Sequence, residues 1–154
     1  MTLYFAYGSN MSRPLMRPRC PSARELGVAR LDGHRFIVMG DGYASIVAAP
    51  GGVVHGLLWR LAPRDLAALN AYERLDQGLY RAATLPVRSG ARRVAALVYI
   101  GCSRAEGVPR PGYIQLVLAA ARDVGLPAGY IGELARWAPS GWRGARAPET
   151  GEVA

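Results

Sequence analysis

An apolar run, Leu3-Tyr4-Phe5-Ala6-Tyr7, stops in Gly8-Ser9-Asn10. Its aromatic and β-favouring residues predict a buried strand, and Gly8 and Asn10 are residue types that tolerate left-handed backbone at a sharp turn. The backbone N–H groups of such a turn suit it to hold an anion or a developing oxyanion, although Gly, Ser and Asn also end ordinary strands. Residues 11–21 carry Pro14, Pro18 and Pro21, which exclude a long helix and predict an irregular segment hugging the surface. Residues 26–31 and 35–39 read as two strands around Asp32-Gly33, a hairpin signal. Residues 44–49 and 53–61 add two more, separated by Pro50-Gly51-Gly52.

The period then changes. Pro63 suits the first turn of a helix, and Leu66, Leu69, Asn70 and Glu73 recur at the spacing of one helical face, so Glu73 shares a face with two leucines. Strands return over residues 79–87 and 94–100, flanking the turn Arg88-Ser89-Gly90-Ala91. Tyr113, Leu116, Val117, Ala120 and Val124 form a helical stripe, Gly125-Leu126-Pro127 breaks it, and residues 130–137 can make a last short helix. The pattern predicts one domain over residues 1–138 and a mobile tail rich in Arg, Pro and Gly over 139–154.

Composition narrows the class more than the chemistry. A chain of 154 residues can bury one core without disulfides or metals. Cys20 and Cys102 lie far apart without CxxC spacing and read as reduced thiols of a cytoplasmic protein. No signal segment is evident, and no apolar run approaches the roughly 20 residues of a membrane span. The net charge of +8 comes entirely from arginine, since the chain has no lysine, and it favours anionic partners without naming one.

Among ionisable residues Glu73 stands out. On an inward helical face it loses hydration, which disfavours its charged form and suits it to proton transfer near neutral pH. A second reading stays open, in which it sits at a frayed helix end paired to Arg74 or Arg81. His34 and His55 have no metal-ligand neighbours at useful spacing, and Ser9 lacks the surroundings of a nucleophile elbow, so loop hydrogen bonding is its expected role. The tyrosines Tyr80, Tyr99 and Tyr113 fit half-buried strand and helix positions. Residues 136–146 interleave Trp137 and Trp142 with arginines, as single-strand nucleic-acid binders can, but a solvated tail with Trp137 docked on the core is the reading preferred here.

Taken in order, these pieces resemble a family. Tyr4-Phe5-Ala6-Tyr7-Gly8-Ser9-Asn10-Met11 is similar to the YxAYGSNL signature of the γ-glutamylcyclotransferase-like (AIG2-like) superfamily. Val54-His55-Gly56-Leu57-Leu58-Trp59 resembles its VxGxxW strand, and Leu69-Asn70-Ala71-Tyr72-Glu73 its LDxxE helix end. Gly78-Leu79-Tyr80, Val98-Tyr99-Ile100 and Pro111-Gly112-Tyr113-Ile114 resemble its later tyrosine-bearing segments. The resemblance implies an α+β fold, a small mixed sheet closing into a barrel with helices packed outside. It also implies that Tyr7, Gly8, Ser9 and Asn10 bind a γ-glutamyl group, that Tyr80, Tyr99 and Tyr113 line the pocket, and that Glu73 is the general acid/base.

The implied reaction is an intramolecular aminolysis. The α-amine of a γ-glutamyl amino acid, amine or peptide attacks its own γ-carbonyl, closing 5-oxoproline and expelling the acylated amine, with no metal or organic cofactor required. Two departures bear on it: Asn70 replaces the family's Asp, removing a negative charge near Glu73, and Arg74 replaces the Gly that follows the glutamate. Three functions therefore stay in view: the cyclotransferase, a non-catalytic small-molecule-binding member in which Arg74 quiets Glu73, and, more weakly, a basic nucleic-acid-binding domain. The leaving amine and the oligomeric state are left open.

Overall fold

A computed structural model describes residues 1–139 of the chain, so the expected mobile tail lies, but for its first residue, outside the described residues. Five strands close a barrel in the order β1, β3, β2, β4, β5: β1 is Thr2–Ala6, β2 Arg24–Val38, β3 Ala44–Leu61, β4 Tyr80–Ser89 and β5 Arg92–Gly101. Neighbours run antiparallel except β1 and β5, which pair parallel at Tyr4 and Leu97, so the sheet is mixed as the resemblance implied. Helices α1 (Arg13–Arg19), α2 (Pro63–Tyr72), α3 (Tyr113–Val124) and α4 (Ala128–Ala135) complete the α+β fold. Phe5, Ile37, Val54, Val98, Ile114 and Val117 are among the core side chains with no exposed surface. No helix among the described residues is long and apolar enough to cross a membrane.

Three local expectations change. The predicted hairpin at Asp32-Gly33 is a register shift inside one continuous β2, because Gly33 adopts a φ of +76° and lets both halves pair with the same partner, β3. Running straight on, β2 buries Phe36, Ile37 and Val38. The strands predicted over 44–49 and 53–61 are likewise one element, β3, and the real reversal is at Met39 to Tyr43, where the Met39 N–H donates to the Tyr43 carbonyl at 2.8 Å.

The segment expected to be irregular contains α1. Pro14 stands in its first turn, where no N–H partner is needed, and the Ser12 hydroxyl accepts from the Leu15 N–H at 3.4 Å. The helix is seven residues long and holds Pro18 near its end; Met16 is buried on its inner side and Cys20 just beyond it. This short helix sets Arg19 beside the turn that follows β1.

Candidate functional site

After Ala6 the chain turns at Gly8, whose φ of −117° and ψ of −134° fall outside the α and β regions open to residues with a Cβ. Neither Gly8 nor Asn10 uses the left-handed backbone their residue types suggested. The turn is instead a single 3-10 winding, Ser9–Met11, in which the Met11 N–H donates to the Gly8 carbonyl at 3.1 Å and the Ser12 N–H to the Ser9 carbonyl at 2.9 Å. Helix α3 packs against this turn, and the Trp59 indole N–H of β3 donates to the Asn10 carbonyl at 3.0 Å.

Glu73 is the residue immediately after α2, its N–H still bonded to the Leu69 carbonyl at 2.8 Å. The helix starts at Pro63, with the Asp65 carboxylate accepting the Ala62 N–H at 3.4 Å, and its Leu69 is wholly buried. One turn on, the side chain of Glu73 therefore enters the same interior, and it is 0% exposed. There the Asn10 side-chain amide donates to Glu73 Oε1 at 3.1 Å and to the Tyr4 hydroxyl at 3.1 Å.

The expected tyrosines surround this pair. The Tyr7 hydroxyl donates to the Tyr99 carbonyl, and the Tyr99 hydroxyl to Asn70 Oδ1, so the residue that replaces the family's Asp has a defined partner. The Tyr80 hydroxyl donates to the Ala44 carbonyl at 2.5 Å, while the Tyr113 hydroxyl accepts the Ala44 N–H at 3.3 Å. Burial first, and the Glu73 carboxylate next, push the phenols of Tyr4, Tyr7 and Tyr99 up. Burial does the same for Tyr80 and Tyr113, with Glu73 a smaller contributor. All five phenols stay protonated at neutral pH.

The cluster thus brings together Tyr7, Gly8, Ser9, Asn10, Glu73, Tyr80, Tyr99 and Tyr113. It adds residues that sequence reasoning passed over: Tyr4, which stood in the first motif; Ser45, whose hydroxyl accepts the Gly101 N–H at 2.9 Å; and Arg19 with Tyr72. One of three arginines in a proline-rich stretch, Arg19 carries no local signal that sets it apart. A groove of about 770 Å³ beside α4, walled by Phe36, His55, Tyr130 and Trp137, has none of the cluster residues in its lining. There Trp137 docks edge-on against Phe36, ring centres 6.3 Å apart, and His55 against Tyr130 at 4.8 Å. The Cys20 thiol is pushed up to about 11 by burial, and Cys20 and Cys102 are both free.

Arg74 is exposed while Glu73 is wholly enclosed. Its backbone, at φ 54° and ψ 48°, is left-handed, which among the described residues occurs at no other non-glycine. The geometry explains why the family pattern has Gly after the glutamate: a Cβ is strained there by roughly 1–2 kcal/mol. Arg74→Gly is expected to stabilise the fold by about 0.5–1 kcal/mol after the greater entropy of unfolded glycine is counted, read as a higher urea midpoint.

Comparison with known proteins points one way. The family described as "Gamma-glutamyl cyclotransferase, AIG2-like" matches residues 4–114. The human γ-glutamylcyclotransferase is 27% identical over 98% of this chain and 86% of its own length, and the mouse protein of the same name is 28% identical over the same shares. A solved structure titled γ-glutamyl cyclotransferase superposes with a TM-score of 0.85 at 26% identity, covering 96% of this chain and 94% of that one.

Proposed function

Because this chain belongs to the γ-glutamyl cyclotransferase, AIG2-like family, we propose that the Asn10–Glu73 cluster converts a γ-glutamyl amino acid, amine or peptide to 5-oxoproline and the free amine. The observation that carries this reading is the 3.1 Å hydrogen bond from Asn10 to Glu73, which joins the one enclosed carboxylate of the cluster to the Gly-Ser-Asn turn.

In this reading the γ-glutamyl group binds against the turn. Backbone N–H groups of a tight turn are the class of donor that suits an α-carboxylate or the oxyanion formed at the γ-carbonyl. Held bent, the substrate has its α-amine beside its own γ-carbon, and ring closure needs no second molecule. Glu73 takes a proton from the α-ammonium, the freed nitrogen forms the new C–N bond, and the γ-carbonyl becomes tetrahedral. Collapse breaks the bond to the departing nitrogen, which receives the proton held by Glu73, and the second proton that the ring nitrogen must lose passes to the same amine, which leaves as its ammonium. Tyr80, Tyr99 and Tyr113 wall the site. Since Ser9, Asn10 and Glu73 are each 0% exposed, the substrate replaces contacts that the cluster makes with itself. The free cysteines support a reducing, cytoplasmic setting.

The test is direct. Purified protein incubated with a panel of γ-glutamyl amino acids, amines and peptides is expected to release 5-oxoproline from at least one of them, measured by mass spectrometry. No release from any compound, by protein that is folded by circular dichroism, would overturn the reading.

A further inference from the structure

We infer that Arg19 is a positioning residue for Glu73: its guanidinium dictates which way the Asn10 amide faces, and so keeps the amide NH2 against the carboxylate. This deepens the cyclotransferase reading and rests on it for its catalytic consequence.

Arg19 lies half-buried at the C-terminal end of α1. One arm of the guanidinium donates to Asn10 Oδ1 at 2.5 Å, the other donates to the Tyr72 hydroxyl, and the guanidinium carbon lies over the Tyr72 ring, 3.7 Å from its centre. Tyr72 immediately precedes Glu73, so the guanidinium is clamped to both walls of the site. A guanidinium has donors and no acceptor, whereas a carboxamide has one acceptor end and one donor end. Oxygen must therefore face Arg19, and nitrogen is left to face Tyr4 and Glu73, as observed at 3.1 Å each. The flipped amide would set NH2 against guanidinium and carbonyl oxygen against carboxylate, two mismatches at once. A lysine cannot reproduce the clamp, because a single ammonium does not both stack and fork.

The same chain of contacts carries charge. Arg19 polarises the amide and supplies positive potential behind it, so it favours the ionised form of Glu73 that accepts the substrate proton. The phenols of Tyr4, Tyr7, Tyr80, Tyr99 and Tyr113, all held protonated, lie within electrostatic reach of Glu73, and Arg74 beside it is exposed to water.

Arg19→Met keeps the packing stem and removes every donor. Its kcat for 5-oxoproline release is expected to fall about 10- to 100-fold, more than KM rises, and the acid limb of the kcat profile should move up by about one pH unit. Arg19→Lys, which keeps the charge, should return the acid limb toward the wild-type position while recovering only part of kcat. A readout independent of turnover is the titration of the Glu73 carboxyl by carbon-13 NMR, assigned with Glu73→Gln; it should shift upward in Arg19→Met. If Arg19→Met does not fold, Arg19→Gln is read in the same way. A folded neutral variant with lowered Tm but an unmoved Glu73 titration makes Arg19 merely structural and overturns the inference. Absence of turnover in the wild type would sink the cyclotransferase reading, while the NMR titration still decides the role of Arg19.

Discussion

Glu73→Gln is expected to lower 5-oxoproline formation by about 10²- to 10⁴-fold, the usual contribution of a positioned acid or base, while leaving the fold at least as stable as the wild type. The amide keeps the volume of the side chain and an oxygen that can accept from Asn10, which now lies 3.1 Å from Glu73 Oε1. What disappears is a proton acceptor and a charge. Because the residue is 0% exposed, holding that charge costs desolvation, and a neutral isostere removes the cost. Opposite movements of kcat and Tm are therefore the signature to look for, by steady-state kinetics and thermal unfolding on the same preparations. Unchanged kcat would remove Glu73 from the mechanism.

The pH dependence follows from the same enclosure. Burial and the Glu73 charge hold the phenols of Tyr4, Tyr7 and Tyr99 up, and burial does so for Tyr80 and Tyr113. None of these phenols ionises near neutrality, so no alkaline limb below about pH 10 belongs to the tyrosines.

The second large effect is on architecture. Gly56 pairs with Ala29 across the β2–β3 ladder, and a Cβ built on it would stand 2.2 Å from the Ala6 carbonyl oxygen and 2.9 Å from the Phe5 ring. The nearest of these atoms is backbone and cannot swing aside as a side chain would. Gly56→Ala is expected to destabilise by about 3 kcal/mol, the upper end for overpacking, seen as a reduced denaturant midpoint. Strain at Ala6 also displaces Tyr7 and the turn after it, so activity in the surviving folded fraction should fall. Full activity and an unchanged midpoint would mean that β1 is far less tightly seated than the geometry indicates.

Much of the local structure is legible because it is set by neighbours in sequence. The β4–β5 turn at Ser89 and Gly90, the apolar stripe of α3, and the stacking of Glu73 one turn beyond Leu69 all follow from periods of two and 3.6. Pro14 in α1 and Asp32-Gly33 in β2 were misleading for a shared reason. A proline in a first turn and a glycine in a bulge use the same residue types as a helix breaker and a hairpin, and the choice between them lies with the element packed alongside.

The order of the elements from α2 onward, the family, and the residues of the turn and the carboxylate are readable along the chain, since each is written in a short local pattern. The meeting of Asn10 with Glu73, 63 positions away, the place of Tyr4 and Ser45 in the same cluster, and Arg19 behind the amide come from the folded barrel. Those contacts depend on barrel closure, in which β1 lies between β3 and β5, and on the end of α2 meeting the turn through Glu73 and Asn10. Periodicity says which side of an element is buried, but a hydrogen bond across the interior depends on which buried sides are brought face to face.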